Sequence, residues 1–349
     1  LQLIPGTGKG ILDHIGHNDI VTFTGSATTG KILKSHPNIL ENSVPFNMEA
    51  DSLNACVLGE DVDKNSDEFD IFIKEIYREM TAKTGQKCTA VRRILVPENK
   101  IDQVQKALIT KLGKTIIGNP ENKDVRMGAL ASKIQVERVK ENVELLMESQ
   151  EKVFDNSLNL NLIDASEEKG AFFSPILFRN DEPFFKDAVH NIEAFGPVST
   201  LIPYKNMEEA VELVEMGKGS LVTSFVSNDD QKSKEFVVET AHTNGRILVL
   251  NSRCSKESTG HGSPMPLLAH GGPGRAGGGE EMGGIRGIKH YLQRTAIQGH
   301  PETITKITEQ FQIGGNQPES NPHVFRKHFE ELNVGDTVFT HKHTVTTAD

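Results

Sequence analysis

The strongest constraint on the fold is an alternation, along most of the chain, between short strand-like runs and longer segments of helical periodicity. The strand-like runs are apolar or rich in β-branched residues, whereas the helical segments repeat apolar residues every three or four positions. This alternation is typical of an α/β protein. The expected strands lie at residues 19–24, 44–48, 55–58, 92–96, 221–226 and 246–250.

The clearest helix is predicted at residues 66–80, where large apolar side chains fall on one face. These side chains are Phe69, Phe72, Ile73, Ile76 and Met80. We expect Asn65 to be the N-cap, because Glu68 follows three residues later as in a capping box. Further helices are predicted from about 27 to 35 and at 101–112, 232–241 and 285–292.

Length and charge limit the possible classes of function. A chain of 349 residues is longer than one compact core usually holds, so two or more domains are expected. The net charge is −10 and no basic cluster occurs, so we expect no nucleic-acid partner. No apolar run approaches the roughly 20 residues that span a bilayer, so no membrane association is expected. The chain opens at Leu1 without Met, and we expect its N-terminal part to be missing.

The three cysteines, Cys56, Cys88 and Cys254, are odd in number, widely spaced and outside any CxxC motif. This pattern argues against a disulfide framework or a zinc site, and favours a reducing cytoplasm. The sequence has no HExxH motif. The pair His341 and His343 has no third ligand nearby, so we expect no metal site.

Two glycine-rich segments resemble phosphate-binding motifs. Gly25–Lys31 fits GxxxxGK between a strand and a helix, which leaves a P-loop nucleotide-binding protein as the alternative function. Against it, Ile32 stands where a P-loop has Ser or Thr. Gly272–Gly277 fits GxGxxG but follows no strand directly and contains Pro273, so we interpret it as a flexible loop.

Cys88 is the candidate nucleophile. It lies among small residues just after the predicted helix and just before a strand, which leaves room for a substrate carbon. A reactive thiol must ionise and therefore needs positive charge or aligned N–H groups nearby. Lys87 is adjacent in sequence, although adjacency does not give its side-chain direction.

Six segments, in one order along the chain, match the motifs of a known superfamily. They are Phe23–Ser26 followed by Gly30 (FTGSxxxG), Met48–Ala50 (the glutamate strand, with Asp51 and Ser52 replacing glycines), Gly85–Cys88 (GQxC), Gly118–Pro120 with Met127–Gly128, Glu193–Pro197 (ExFGP) and Asn251. Over residues 1–295 the chain thus resembles the aldehyde dehydrogenase superfamily. The resemblance implies a partial Rossmann-like cofactor domain joined to an α/β catalytic domain.

The resemblance also implies a reaction. Cys88 would attack an aldehyde carbonyl to give a thiohemiacetal and then a thioester. Glu49, as general base, would activate the water that hydrolyses the thioester. The cofactor, NADP or NAD, would contact residues Gly25, Ser26, Gly30, Glu193 and Phe195. A second oxyanion donor, an Asn in the family, would lie before the first residue of this chain. A third interpretation of the sequence is a catalytically inactive relative of this family.

Residues 269–278 and 289–296 resemble one branch of the superfamily, the bifunctional ring-opening enzymes of phenylacetate degradation, which join an aldehyde dehydrogenase to a MaoC-like hydratase. Residues 331–345 resemble the start of such a hydratase, whose own catalytic residues are not present. The branch implies a CoA-linked semialdehyde substrate, NADP and a homo-oligomer. His270, Arg275 and Lys289 are candidate contacts for CoA phosphates.

The predicted domain organisation follows from the same resemblance. It comprises the end of the cofactor domain (1–54), the catalytic domain (55–272), a loop, helix and oligomerisation segment (273–298), a polar linker (299–320) and the start of a MaoC-like domain (321–349).

Overall fold

The computed structural model describes residues 2–316, except 7, 158–159, 266–267, 269 and 281–283. The chain divides into two compact units, 1–291 and 292–349. The predicted MaoC-like segment 321–349, with His341 and His343, lies outside the described residues. In the described part of the chain, no helix combines the length and apolar character needed to cross a bilayer.

A seven-stranded sheet forms the centre of the first unit. From edge to edge its strands are β11 (Asn244–Leu250), β10 (Ser220–Val226), β3 (Ala55–Leu58), β4 (Arg93–Pro97), β9 (Val198–Tyr204), β8 (Ile176–Arg179) and β6 (Glu151–Asp155). All neighbours are parallel except β6, which runs antiparallel to β8. Two parallel pairs stand apart from this sheet: β1 (Val21–Thr24) with β2 (Phe46–Glu49), and β5 (Ile117–Gly118) with β7 (Leu162–Ile163).

Eight helices are described in the first unit and one in the second. They are α1 (Ala27–Lys34), α2 (Pro37–Glu41), α3 (Asp67–Thr81), α4 (Ile101–Leu112), α5 (Lys133–Met147), α6 (Met207–Glu215), α7 (Asp230–Thr240), α8 (Gly284–His290) and, in the second unit, α9 (Pro301–Thr308). The α/β class predicted from the sequence is confirmed. Helix α9 lies inside the segment that we expected to be a linker.

The start of α3 differs by one residue from the prediction. Ser66 is the N-cap, since its Oγ accepts a hydrogen bond from the backbone N–H of Phe69 at 3.3 Å. The expected cap, Asn65, is therefore wrong. The N-cap side chain reaches the N–H three residues later, so the residue that can cap is set by where the helix begins, which is Asp67.

Helices cover both faces of the large sheet. On one face α3 and α4 pack on β3 and β4, through buried Phe72, Ile76 and Leu108. On the other face α6 and α7 pack on the same sheet, through buried Leu213 and Phe236. Because side chains alternate across a strand, a sheet covered on both faces buries every side chain of its inner strands. This explains why β4 and β10 are buried at every position.

The packing places one end of the sheet opposite the β1–β2 pair. Thr24 and Glu49 are paired at the carboxyl ends of β1 and β2. The chain then passes directly from β2 to the amino end of β3 within residues 50–54. In the sheet order β4 lies beside β3 and β9 lies beside β4, so the amino ends of these three parallel strands share one edge of the sheet. The connections that precede these strands therefore gather in one place.

Replacing Phe236 by Ala should lower the free energy of unfolding by about 3–5 kcal/mol, because it empties a fully buried site in α7. The ring is stacked on Phe225, with centroids 4.4 Å apart, so contact with a second aromatic ring is also lost. Urea unfolding measures the change. Val238→Ala on the same helix is the matched control, since Val238 is 64% exposed and its loss should cost less than about 0.5 kcal/mol. Equal losses for the two variants would contradict the packing described here.

Candidate active site

A cavity of about 850 Å³ lies between the β1–β2 pair and the amino ends of β3, β4 and β9. This volume is within the range of small-molecule sites. The structure brings six predicted residues to its wall: Glu49, Cys88, Gly25, Ser26, Glu193 and Phe195. They come from four separate parts of the sequence, so the fold rather than the sequence order brings them together.

Gly30 is the predicted cofactor residue that does not line this cavity. It is buried in α1, where a Cβ atom would collide with the sulfur of Met48 and stand 3.2 Å from the ring of Phe23. Its small size allows α1 to lie close against β1 and β2. The structure thus gives Gly30 a packing role, and the cofactor contact that we expected for it stays a prediction.

The turn that carries Cys88 depends on three consecutive residues with left-handed backbone. Lys83, Thr84 and Gly85 have φ values of 51°, 54° and 68°. Such values are unfavourable for residues with a Cβ, above all for a β-branched one. Thr84 is held there by a hydrogen bond from its hydroxyl to the carbonyl of Gly128 at 3.0 Å. At Gly85 a Cβ would meet the carbonyl of Gly196, so only glycine fits.

The backbone after this turn is fixed by a buried amide. Asn54, just before β3, donates from Nδ2 to the carbonyls of Cys88 (2.8 Å) and Ala90 (3.0 Å). Its own Oδ1 accepts from the hydroxyl of Ser52 at 2.6 Å. The Cys88 backbone is thereby attached to the start of the neighbouring strand. The Cys88 side chain is half-buried at the cavity wall.

The three cysteines have different environments. Cys56 lies in β3 with no exposed surface, and burial, followed by the charges of Glu75 and Glu79, raises the pKa of its thiol well above the usual value. The Cys254 thiol lies 3.6 Å from the carbonyl of Asn251, away from the cavity lining. Of the three, Cys88 is the one positioned to meet a ligand in the cavity.

Lys87 does not direct its charge toward the cavity. Its ammonium lies 2.6 Å from the carboxylate of Glu79, which is only 1% exposed. Burial raises the pKa of Glu79, and the nearby Lys87 charge opposes that rise. Lys87 therefore neutralises a buried carboxylate of α3, and the sequence adjacency of Lys87 and Cys88 gave no guide to its side-chain direction.

Glu49 ends β2, and its backbone carbonyl accepts from the N–H of Gly25 at 3.1 Å. Glu49 lines the large cavity and also a smaller one of about 170 Å³, which Thr22, Asn47 and His290 help to line. The residue thus lies between two cavities. This position is compatible with a base that acts on water.

The amino end of α1 faces the cavity through Gly25 and Ser26. Ser26 is the N-cap, its Oγ accepting from the N–H of Thr29 at 3.2 Å. Asp51, which stands where the resembled family has glycine, accepts from the N–H of Ala27 at 2.9 Å. One donor at this helix end is thus engaged by a carboxylate of the chain itself. Position 25 requires glycine, because a Cβ atom there would collide with the Phe23 ring. Without a Cβ atom, the backbone at Gly25 is open to close approach.

Glu193 and Phe195 lie on the segment that precedes β9. The Glu193 carboxylate is paired with the guanidinium of Arg92 at 3.2 Å and accepts from the backbone N–H of Ser52 at 3.3 Å. Burial raises the pKa of Glu193, while the positive charge of Arg92 opposes the rise. A carboxylate has about four acceptor positions, so both oxygens retain capacity for a ligand hydroxyl. The Phe195 ring is 36% exposed.

Several residues at the site were not predicted. The cavity wall includes Gln135, Arg138 and Asn142 of α5, whose apolar periodicity gives no sign of a binding role. Arg275 also lines it, from the segment that we interpreted as a flexible loop. No motif signals Arg92, which lies behind the wall.

The 272–279 segment is attached to the rest of the unit by backbone hydrogen bonds. The N–H of Gly279 donates to the carbonyl of Met48 (3.0 Å), and the N–H of Arg275 donates to that of Lys218 (2.8 Å). The Arg275 guanidinium donates to the carbonyl of Asn191 at 2.7 Å and lies 3.8 Å from Asp51. The interpretation as a flexible loop is wrong. The guanidinium is engaged within the chain, and the CoA-phosphate contact expected for Arg275 stays a prediction.

The P-loop alternative loses its structural basis. In a P-loop the glycine-rich segment forms a turn ahead of the helix and the lysine faces the phosphates. Here α1 already begins at Ala27, so Lys31 lies in its last turn, outside the cavity lining. Among the residues that the structure describes, no three His, Cys, Asp or Glu side chains form a group able to hold a metal ion.

Known protein families and sequences include relatives of this chain. The sequence model described as "Aldehyde dehydrogenase family" matches residues 1–297. A 3,4-dehydroadipyl-CoA semialdehyde dehydrogenase of Aromatoleum evansii is 40% identical over 273 residues, covering 78% of this chain and 53% of that protein. Protein MaoC of Klebsiella aerogenes is 45% identical over 224 residues, covering 64% of this chain and 65% of its own length. The chain thus spans between half and two thirds of these relatives.

Solved structures show the same fold. An apo form of a betaine aldehyde dehydrogenase point mutant from Staphylococcus aureus superimposes with a TM-score of 0.69 at 25% identity, covering 83% of this chain and 54% of that one. A mutant of aldehyde dehydrogenase C from Pseudomonas syringae, in complex with NAD⁺ and octanal, gives a TM-score of 0.68 at 21% identity, covering 83% and 55%. The fold and the resemblance predicted from the motifs are confirmed.

In the folded protein, iodoacetamide should alkylate Cys88 and leave Cys56 unmodified, because the Cys56 thiol is fully buried and its pKa is raised. Mass spectrometry of the peptides after brief labelling measures both sites. Urea-unfolded protein is the control, in which Cys56 should react as well. Labelling of Cys56 in the folded state at the rate of Cys88 would contradict the burial described here.

Proposed function

Because the chain belongs to the aldehyde dehydrogenase family, we propose that it carries the thiol chemistry of an NAD(P)-dependent aldehyde dehydrogenase. Cys88 is the nucleophile and Glu49 is the general base. The observation that carries this proposal is that both residues line one cavity, together with Glu193 and Phe195. A thiol and a carboxylate on a common wall are the two groups that the reaction needs from this part of the protein.

The first step is nucleophilic addition. The thiolate of Cys88 forms a bond to the aldehyde carbon, and the carbonyl oxygen takes up the negative charge of the resulting thiohemiacetal. By resemblance, the backbone N–H of Cys88 is one donor to this oxyanion. Its position is supported by the Asn54 amide, which holds the adjacent peptide groups.

A nicotinamide cofactor, when bound, accepts the hydride that leaves the thiohemiacetal carbon. The residues present fit the nicotinamide half of such a cofactor. Gly25 and Ser26 bring a helix amino end to the cavity, where backbone N–H groups attract phosphate. Glu193 offers a carboxylate with remaining acceptor capacity to ribose hydroxyls, and Phe195 offers an exposed ring face.

Glu49 completes the turnover. The loss of hydride leaves a thioester on Cys88, and Glu49 takes a proton from the water that attacks this thioester. The carboxylic acid is released and the thiolate leaves, so the nucleophile is restored. The second cavity on which Glu49 opens offers space for water next to the carboxylate.

For the substrate we infer an aldehyde carried on CoA, a semialdehyde produced by opening of an aromatic-derived ring in phenylacetate catabolism. The support is 40% identity to a CoA-semialdehyde dehydrogenase and 45% identity to Protein MaoC. NADP is the proposed cofactor, with NAD as the alternative. We further propose the domain boundaries predicted from the sequence, a MaoC-like hydratase that begins near residue 321, a homo-oligomer and a cytoplasmic location.

Cys88→Ala in the full-length protein should reduce aldehyde oxidation by on the order of 10⁴-fold or more, because no other side chain forms the covalent intermediate. Formation of reduced cofactor with a CoA-linked semialdehyde measures this. Cys254→Ala is the matched control and should retain activity, since Cys254 is absent from the cavity lining. An active Cys88→Ala enzyme would refute the proposed function.

Glu49→Gln should slow steady-state turnover by about 10²- to 10⁴-fold, because water is no longer deprotonated. The first burst of reduced cofactor should remain close to one equivalent, since thioester formation precedes the step that Glu49 serves. Stopped-flow absorbance separates the two phases. Glu141→Gln, an exposed change on α5, is the control. Loss of the burst together with turnover would mean that Glu49 maintains the structure of the site instead.

A further inference from the structure

The guanidinium of Arg92 joins two walls of the site. Arg92 directly precedes β4, and its side chain is only 4% exposed. Its Nη2 donates to the carbonyl of Gly85 at 2.9 Å, in the turn that leads to Cys88. Its Nη1 donates to the carbonyl of Gly196 at 2.6 Å, and its Nε to the carboxylate of Glu193 at 3.2 Å. One planar group thus connects the nucleophile turn (residues 85–88) to the cofactor-facing segment (residues 193–196).

On the basis of the function proposed above, we propose that Arg92 is a positioning residue, which holds the Cys88 turn and the Glu193–Phe195 segment at the separation that hydride transfer requires. Arg92 is not itself part of the cavity lining. It therefore acts on the reaction through the groups that it holds, and it touches neither substrate nor cofactor.

Arginine is the side chain that can make these contacts together. Its guanidinium presents five N–H donors in a rigid fork, whereas lysine has one flexible ammonium. Two of the three acceptors are the backbone carbonyls of Gly85 and Gly196, and the third is the carboxylate of Glu193. A lysine at position 92 keeps the charge near Glu193 but cannot donate along all three directions at once.

The Arg92 guanidinium also interacts with the two cofactor-facing residues, Glu193 and Phe195. Its charge opposes the rise in the pKa of Glu193 that burial causes, and its Nε donates to the Glu193 carboxylate. The guanidinium carbon also lies 5.5 Å from the centroid of the Phe195 ring, within the range of a cation–π contact. Both residues proposed to meet the nicotinamide end of the cofactor are therefore oriented by Arg92.

A second link between the two walls runs through Gln86. Its Nε2 donates to the carbonyl of Phe195 at 3.2 Å, and its Oε1 accepts from the N–H of Ala131 at 2.8 Å. The walls also touch where Gly85 lies against the carbonyl of Gly196. A displacement of about 1 Å between reacting groups costs up to about 100-fold in rate, so links of this kind bear directly on catalysis.

A purely structural role is the competing explanation, and the neighbouring arginine provides the comparison. Arg93 is fully buried, and its guanidinium donates to the carbonyls of Leu53, Leu213 and Val214. It is absent from the cavity lining and makes no bond to the Cys88 turn. A substitution there should affect stability, without the changes in cofactor use that we expect at position 92.

Arg92→Lys in the full-length protein tests the proposal. We expect kcat for oxidation of a CoA-linked semialdehyde to fall about 10- to 100-fold and the KM for the nicotinamide cofactor to rise, with a smaller change in the KM for the aldehyde. Because Cys88 and the cofactor-facing residues line one cavity, bound cofactor should change the rate at which iodoacetamide alkylates wild-type Cys88, and this change should be lost in Arg92→Lys. Arg93→Lys, the matched control, should lower Tm while its kcat and both KM values stay within about two-fold of the wild type.

Folded Arg92→Lys with unchanged kcat, cofactor KM and cofactor-dependent alkylation would overturn the proposal, whatever its Tm. If Arg92→Lys does not fold, the same measurements are made on Arg92→Gln, whose amide keeps two N–H donors but not the fork, and unchanged values there would overturn it equally. Wild-type protein that oxidises no aldehyde would instead refute the proposed function. Active wild type with an unaffected Arg92→Lys would refute the role of Arg92 alone.

Discussion

The candidate site depends on side-chain donors that satisfy buried backbone carbonyls where parallel strands begin. At these ends the chain leaves the sheet, so its carbonyls lose the partners that a neighbouring strand supplies, and each unsatisfied group costs about 1–3 kcal/mol. Asn54 supplies two such donors, to Cys88 and Ala90, and Arg92 supplies the donors to Gly85 and Gly196. The same bonds that satisfy the carbonyls give the cavity wall its shape.

Much of the fold could be predicted, because it follows from local periodicity. Helix α4 and strand β3 have the predicted bounds, whereas β10 differs by one residue at its start and α3 by one residue at each end. The less predictable features depend on contacts between distant segments. The cap of α3 shifts from Asn65 to Ser66. The 272–279 segment is ordered by hydrogen bonds to residues far earlier in the chain, which glycine content alone does not reveal.

The candidate site was predictable as far as motifs report on backbone shape and on the reacting groups. The motifs led to Cys88, Glu49, Glu193 and Phe195, all of which line one cavity. Sequence proximity gave no direction for the Lys87 side chain, whose charge is directed to a buried glutamate. The motif could not show that Gly30 is packed against Met48 and Phe23, because that contact depends on the tertiary structure. Arg92 carries no motif, and only its three-dimensional contacts reveal its position behind the wall.

The cavity wall also has a consequence for the life of the chain before it is folded. Glu49, Cys88, Glu193 and Arg275 are brought side by side from distant positions. During translation, the segment with Cys88 leaves the ribosome before Glu193 and Arg275 have been synthesised. Until the later segments dock, Cys88 lacks the neighbours that line the cavity with it. The complete pocket therefore forms only with the tertiary structure of the whole unit.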